Sequence, residues 1–260
     1  ISCLAELTAF PVTIIDNGST DQTLEIASRF ENVRILNQPN LGYARACNAG
    51  LVQVENHDFA LILNPDVIIT QQAIEQMLYR INTLEKTAIL SCKMYHVEGD
   101  EKIYQRRSRF TQPLDDTDMV IGAIMLVRMS ALRAIGYFDP KFFLFFEEVD
   151  LCKRALKAGY KIYVDGQVEA LHARKSSSPQ TLEVKALKTW HEGWSKGYFN
   201  HKHKRGIRRA LRMAKIRAQL ELKSLYKGKA AKQRLAGFKA FVQGQSAFND
   251  QDNGPFIPVA

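Results

Sequence analysis

Cysteine is scarce in this chain: four in 260 residues (Cys3, Cys47, Cys92, Cys152), no two in a C-x-x-C spacing. That excludes a disulfide-stapled mini-domain, and with no signal peptide the thiols are read as reduced, in a cytoplasmic setting. Long apolar runs are missing too. The longest uncharged one, Met119 to Val127, has nine residues, where a bilayer span takes about twenty. No membrane-crossing helix is expected. There is no internal repeat and no low-complexity segment, and 46% hydrophobic with 24% charged residues is the balance of an ordinary globular protein. A collagen-like fibre and a disordered chain are thereby excluded.

Acidic residues are scarce in one place only. Residues 1–170 carry 17 Lys and Arg against 22 Asp and Glu, a net of −5, whereas residues 171–260 carry 19 against 5, a net of +14. An acidic body with a basic tail points to chemistry in the first part and attraction to a polyanion in the second. The expected domains are a catalytic domain over 1–175 and a basic helical tail over 176–260, joined by a polar linker at Ser176 to Pro179.

Strand and helix signals alternate through the body. Val12–Ile15, Val33–Leu36, Phe59–Leu63, Ala88–Met94, Met119–Val127 and Lys161–Val164 read as apolar strands. Helices are expected from Ser19 or Thr20 as cap to Phe30, from the Asn40-Leu41-Gly42-Tyr43 loop to about Val54, over Gln71–Leu84, over Ser130–Ile135, and from about Val149 to Ala158. This alternation predicts an α/β domain with a mostly parallel sheet and helices on both faces. The polar stretch Glu98 to Asp118, with Arg106, Arg107 and Arg109, reads as a loop. The chain opens on Ile1, with Leu4 and Leu7 ending a helix before Pro11, so the strand preceding that helix is expected to be missing.

Ligands of open α/β sheets bind at the carboxyl ends of strands. Two acidic clusters occupy such ends, Asp16–Asp21 after Val12–Ile15 and Asp66 after Leu61-Ile62-Leu63. Asp and Asn also dominate ordinary turns, which is the plain structural alternative. A hard divalent cation held mainly by substrate phosphates needs only one or two protein carboxylates. Glu147, Glu148 and Asp150 put three acids within four residues after the apolar run Phe142–Phe146. Burial and like charge raise a carboxyl pKa, which suits a general base. The plain alternative is a helix start enriched in acids by the macrodipole. His172 follows the last strand and is either a packing residue or a ligand.

The succession Val12-Thr13-Ile14-Ile15-Asp16-Asn17-Gly18-Ser19-Thr20-Asp21, Asn40-Leu41-Gly42-Tyr43-Ala44 with Asn48 and Gly50, and Leu63-Asn64-Pro65-Asp66 resembles family 2 glycosyltransferases, in particular the bacterial rhamnosyltransferases of surface-polysaccharide synthesis. The likeness continues through Gly122-Ala123, Val127-Arg128, Gly136-Tyr137-Phe138-Asp139, Glu147-Glu148-Val149-Asp150-Leu151-Cys152, Arg154, Ala158-Gly159 and His172, and spans roughly residues 1 to 200. It implies the GT-A fold and an inverting transfer of a sugar, with L-rhamnose one candidate, from a nucleotide-diphosphate donor, with Mg²⁺ or Mn²⁺, to a lipid-linked or polysaccharide acceptor of the cell envelope. By the same resemblance Asp16 and Asn17 contact the base, and Gly42, Asn48 and Asn64 belong to the nucleotide-sugar site. Asp66 is the metal-binding acid, with His172 holding the metal or diphosphate. Glu148 stands where the family has the Asp of its Glu-Asp pair and is the base, with Glu147 the other candidate. Gly122, Ala123 and Asp150 face the acceptor. Displacement at an anomeric carbon needs a base opposite the leaving group, and the departing diphosphate needs a cation; Glu148 and Asp66 supply both.

In the tail, Ile207, Leu211, Ala214, Ala218, Leu222 and Leu225 form one helical stripe, with Arg208, Arg209, Arg212, Lys215 and Lys223 on the flank and opposite face. One reading packs this stripe on the body. The sharper one makes residues 185–226 an interfacial segment on an anionic membrane, with Trp190, Trp194, Tyr198 and Phe199 at headgroup level. The expected location is cytoplasmic, peripheral on the inner face of the cytoplasmic membrane. Ala247 to Ala260 shows no pattern and is expected to lack structure. Two rivals follow: a nucleic-acid-binding protein, suggested by a pI near 9.4 but opposed by the acidic body and by aromatics that do not interleave with the basic run, and an inactive binding partner of the same fold. Nucleic acid is not expected as a partner.

Overall fold

The computed structural model describes residues 2–98, 101–104, 112–173, 181–249 and 254–256. These fall into two units. The first comprises Ile1–Gln38, Ala46–Phe138 and Glu148–Ser177, the second Pro39–Arg45, Asp139–Glu147 and Ser178–Ala260. The second unit is thus not the tail alone; it takes in two short excursions of the body.

The first unit opens with α1 (Ser2–Ala5), β1 (Val12–Asp16), α2 (Thr23–Ala27) and β2 (Val33–Asn37). β1 and β2 pair in parallel, Val12 opposite Val33 through Asp16 opposite Asn37, as a sheet of their own. The expected cap at Ser19 or Thr20 is not used. Gln22 precedes the helix, while Asp21 accepts from the Thr23 amide at 3.0 Å and prolongs the turn, so α2 is short.

After α3 (Tyr43–Gln53) come β3 (Phe59–Leu63), β4 (Val67–Ile68), α4 (Gln71–Asn82), β5 (Thr87–Glu98), β6 (Glu101–Tyr104), β7 (Leu114–Asp116), β8 (Ile124–Arg128), α5 (Met129–Ile135), α6 (Glu147–Lys157) and β9 (Lys161–His172). The main sheet runs β3-β8-β5-β9-β4, with β6 beside β5 and β7 beside β9. It is mixed and not mostly parallel. Only β5 and β9 run together in it, while β8 lies antiparallel to both β3 and β5. Apolar runs such as Ile124–Val127 announce burial on both faces, and these four residues are all buried, but a run of that kind carries no sign of strand direction. Leu90, Cys92 and Met94 of β5 pack with Ile124 and Leu126 of β8 against Ile74, Met77 and Ile81 of α4. Thr70 caps α4 by accepting from the Ala73 amide. The stretch read as one loop contains β6 and β7; Arg106, Arg107 and Arg109 lie outside the described residues, as does the Ser176–Pro179 linker.

In the second unit α7 (Leu182–His203), α8 (Gly206–Tyr226) and α9 (Gly228–Val242) pack together. Gly193 and Gly237 let α7 and α9 touch backbone to backbone. A Cβ on Gly193 would stand 1.9 Å from the Arg234 carbonyl oxygen, and one on Gly237 1.9 Å from that of Trp190. Two expectations are corrected here. Trp190 and Trp194 are core residues, 2% and 6% exposed, packed with Phe143, Ala240 and Phe248, because the glycine-mediated crossing draws their helix against α9. Within Ala247 to Ala260, the described residues 247–249 and 254–256 are also built in. Ala247 and Phe248 are buried, the Phe256 amide donates to the Ala247 carbonyl at 3.0 Å, and Phe256 stacks on Trp190. The polar run Asn249 to Gly254 conceals such a segment, since the burial of the residues on either side depends on the Trp190 face.

Candidate functional site

β3 delivers its chain to Asn64, whose amide donates to the Ala123 carbonyl at 2.9 Å. The turn around Pro65 closes with Val67 N–H to Asn64 carbonyl at 3.1 Å, and Asp66 then leads into β4. β4 pairs with the end of β9, Val67 opposite His172, and the Ala173 amide donates to the Asp66 carbonyl at 2.8 Å. This register sets the two side chains side by side. His172 Nε2 stands 3.4 Å from Asp66 Oδ1, with Asp66 buried and His172 half-buried. A carboxylate oxygen suits Mn²⁺ or Mg²⁺ alike, whereas an imidazole nitrogen suits the softer Mn²⁺ better than Mg²⁺. No third His, Cys, Asp or Glu completes a ligand cluster among the described residues, so a cation here would draw its remaining ligands from elsewhere. Asn64, Asp66, Ala123 and His172 are therefore gathered at one end of the main sheet, and Gly122 adjoins Ala123.

Glu148 belongs to the first turn of α6. One turn on, burial pushes the Cys152 thiol up to about 12, with lesser pushes from Glu148 and Asp118 and an opposing bond to Val120. The stretch from Asp118 to Ala123 thus lies against α6 at one end and holds the Asn64 turn at the other. It joins the Cys152 turn of α6 to the Asn64 turn, and the sequence carries no sign of this beyond the apolar run Met119–Val127.

Asp150 is fully buried and accepts from Arg154 Nε at 2.8 Å. Arg154 spends its remaining donors on the carbonyls of Ile135, Gly136 and Tyr137 at 2.5–2.8 Å. Next along the chain, Asn48 grips Phe138 at two points, donating to its carbonyl at 2.8 Å and accepting from its amide at 3.0 Å. Asp150 and Asn48, expected beside acceptor and donor, are in this geometry positioning residues for the 135–138 turn.

Asp16 is buried at the end of β1, and its Oδ2 accepts from the Gly18 and Ser19 amides at 3.2 and 3.0 Å. Asn17 Oδ1 accepts from Gln38 Nε2 at 2.9 Å, joining the carboxyl ends of β1 and β2. These two residues shape the strand-end turn where the base was expected.

In the second unit Gly42 has φ of +83°, and a Cβ there would stand 2.4 Å from the Phe143 carbonyl oxygen, which also accepts from the Tyr43 amide at 2.9 Å. Only glycine fits. Glu147 is buried, and before it Phe145 and Phe146 both take φ of +69°, a conformation costing a non-glycine residue roughly 1–2 kcal/mol. Such strain gathers at functional sites, and the sequence hides it behind five apolar residues. Asp139 anchors the segment, accepting from Tyr198 Oη at 2.8 Å and Lys202 Nζ at 2.6 Å. Burial alone would raise its pKa, but these bonds and that from the Lys141 amide hold it below the usual carboxylate range.

The family model described as "Glycosyl transferase family 2" matches residues 2–150. An N-acetylglucosaminyl-diphospho-decaprenol L-rhamnosyltransferase of Mycobacterium tuberculosis is 27% identical over 223 residues, 68% of this chain and 72% of that protein. Among solved structures, S. aureus TarS (residues 1–349) superposes with a TM-score of 0.53 at 16% identity, covering 99% of this chain and 94% of that one. The mannosyltransferase PcManGT from Pyrobaculum calidifontis, in complex with GDP-Man and Mn²⁺, gives 0.53 at 11% identity over 93% of this chain and 75% of that one.

Proposed function

The chain belongs to glycosyl transferase family 2, and from that premise we propose that it is an inverting, metal-dependent enzyme moving a sugar from a nucleotide-diphosphate donor to a lipid-linked glycan. It is a glycosyltransferase of glycan synthesis with the GT-A fold, close to the rhamnosyltransferases. The finer reading rests chiefly on one observation, the pairing of Asp66 with His172 at the sheet end that also holds Asn64 and Ala123.

Asp66 and His172 would hold Mn²⁺ through oxygen and imidazole, while Mg²⁺ would use the Asp66 oxygen. When bound, the cation supplies charge neutralisation for the departing diphosphate. Glu148 accepts the proton of the acceptor hydroxyl as its oxygen forms the new bond to the anomeric carbon; the bond from that carbon to the diphosphate oxygen breaks on the opposite face. Glu147 is the alternative base. Asp16, Asn17, Gly42, Asn48 and Asn64 contribute to the donor site, Asp16 and Asn48 by holding backbone turns. Gly122 and Ala123 line the acceptor side, and Asp150 acts through Arg154 on the 135–138 turn.

The Mn²⁺ in the PcManGT complex supports a divalent cation, and the diphospho-decaprenol in the mycobacterial relative's name supports a lipid-linked acceptor, L-rhamnose being a candidate sugar. No helix among the described residues is long and apolar enough to cross a membrane. An enzyme acting on a lipid-linked acceptor from the cytoplasm would then work peripherally on the inner face of the cytoplasmic membrane. A thermal-shift screen of nucleotide-diphosphate sugars with and without Mn²⁺ tests the reading: at least one donor should raise the melting temperature by several degrees only when the metal is present. A chain indifferent to every donor and to Mn²⁺ would end it.

A further inference from the structure

The apolar stripe of α8 is turned away from α9 within the second unit. At 100° per residue, Ile207, Leu211, Leu222 and Leu225 lie opposite Met213, Ile216 and Leu220, and the latter three pack on Leu235 and Phe238 of α9. The former four are 76%, 65%, 60% and 83% exposed. The smaller Ala214 and Ala218 between them are exposed as well. An amphipathic helix that buries one apolar face and shows a second to water leaves that second face to a partner.

Charge identifies the partner. Residues 205–229 carry nine Lys and Arg against one carboxylate, Glu221. Arg208 and Lys215, both exposed, lie along one edge of the stripe, and on the other edge Arg217 pairs with Glu221 at 2.9 Å, so the unpaired excess of positive charge lies on the Arg208 side. Cations flanking aliphatic side chains are the arrangement of a helix lying in the plane of an anionic bilayer, its stems snorkelling while the apolar face enters the acyl boundary. Nucleic acid would want the cations at the centre of the contact and gains nothing from four exposed aliphatics. A second copy would bring the same dense positive charge to the same face.

We propose that the Ile207–Leu225 face of α8 is a docking surface for an anionic lipid bilayer. The proposal deepens the reading of a lipid-linked acceptor and rests on it for its purpose, but the binding itself involves no turnover and no donor. The test is co-sedimentation of the full chain with phosphatidylcholine vesicles containing 30% phosphatidylglycerol, beside vesicles of phosphatidylcholine alone. Binding to the anionic vesicles should be at least tenfold stronger and should weaken with added salt, because charge attraction decays within a Debye length. Leu211→Asp with Leu222→Asp should lower it tenfold or more, and Arg208→Gln with Lys215→Gln severalfold. Ile207→Trp gives a readout that tolerates a poorly folding double variant: its emission should shift to the blue with anionic vesicles, against the wild-type background. Unchanged emission would overturn the proposal. So would equal sedimentation of the Leu211, Leu222 double variant, tight RNA binding without vesicle binding, or a dimer that this variant dissociates in the absence of lipid. Metal-dependent donor binding is measured without vesicles, so either reading can fail while the other stands.

Discussion

His172 Nε2 lies 3.4 Å from Asp66 Oδ1, and the cause is a strand register. Two residues of β4 pair with the last residues of β9, and the Asp66 carbonyl takes the next amide along, that of Ala173. Three main-chain constraints therefore meet around one acid: this pairing, the Pro65 turn, and the bond from Asn64 to Ala123. A side chain so held is poised before any ligand arrives, which limits the ordering cost of binding.

Glu148→Gln should leave donor binding unchanged and lower kcat about 10²- to 10⁴-fold, the range for losing a positioned base. Glu147→Gln, on the buried neighbour beside the strained Phe145-Phe146 turn, should be milder. Steady-state kinetics with donor and acceptor varied separately decide the matter. The reverse order of severity would move the base to Glu147, and full activity in both variants would remove a carboxylate base from the account.

Arg154→Ala should destabilise the protein by about 3–5 kcal/mol, since it strips a buried carboxylate of its ion-pair partner and leaves three carbonyls of the 135–137 turn without that donor. Arg154→Lys should recover only part, because an ammonium does not reproduce the guanidinium fork. Urea denaturation measures both; a loss under 1 kcal/mol for the alanine variant would show the turn to be held by other contacts.

Much of this was legible in residue patterns and much was not. Apolar runs located β3, β5 and β8, and the order of short motifs pointed to family and fold. Strand direction was not legible, since Ile124–Val127 would be buried on both faces whether parallel or antiparallel. The Asp66–His172 pair was foreseeable only through the family likeness, because a contact between residues so far apart depends on register. Asp150 and Asn48 carry no mark that separates a ligand contact from a turn clamp; only Arg154 and Phe138, met in three dimensions, make the distinction. The α8 stripe was plain in the sequence, but whether it faced inward depended on Ile216 and Leu220 meeting Phe238 on α9.

His191 supplies a pH dependence. It is buried, stacked on Phe143, and desolvation pushes its pKa down to about 4. In the unfolded chain the ring titrates near 6.5. Between those values the unfolded state binds the extra proton, so stability falls as pH drops from about 6.5 to about 4 and flattens below. The full loss from this group is about 3 kcal/mol. In thermal melts across that window wild type should lose stability relative to His191→Phe as pH falls if the ring is responsible; parallel curves would show that it is not.

Under the proposed function Asp66, with His172, makes nucleotide binding depend on a divalent cation. Isothermal titration of a nucleoside diphosphate into the full chain, with and without Mn²⁺, for wild type and Asp66→Asn, tests it most directly. Wild type should bind at least tenfold more tightly with Mn²⁺, and Asp66→Asn should keep its melting temperature but lose the metal-dependent part, with His172→Ala intermediate. Equal affinity of wild type and Asp66→Asn in the presence of Mn²⁺ would contradict it.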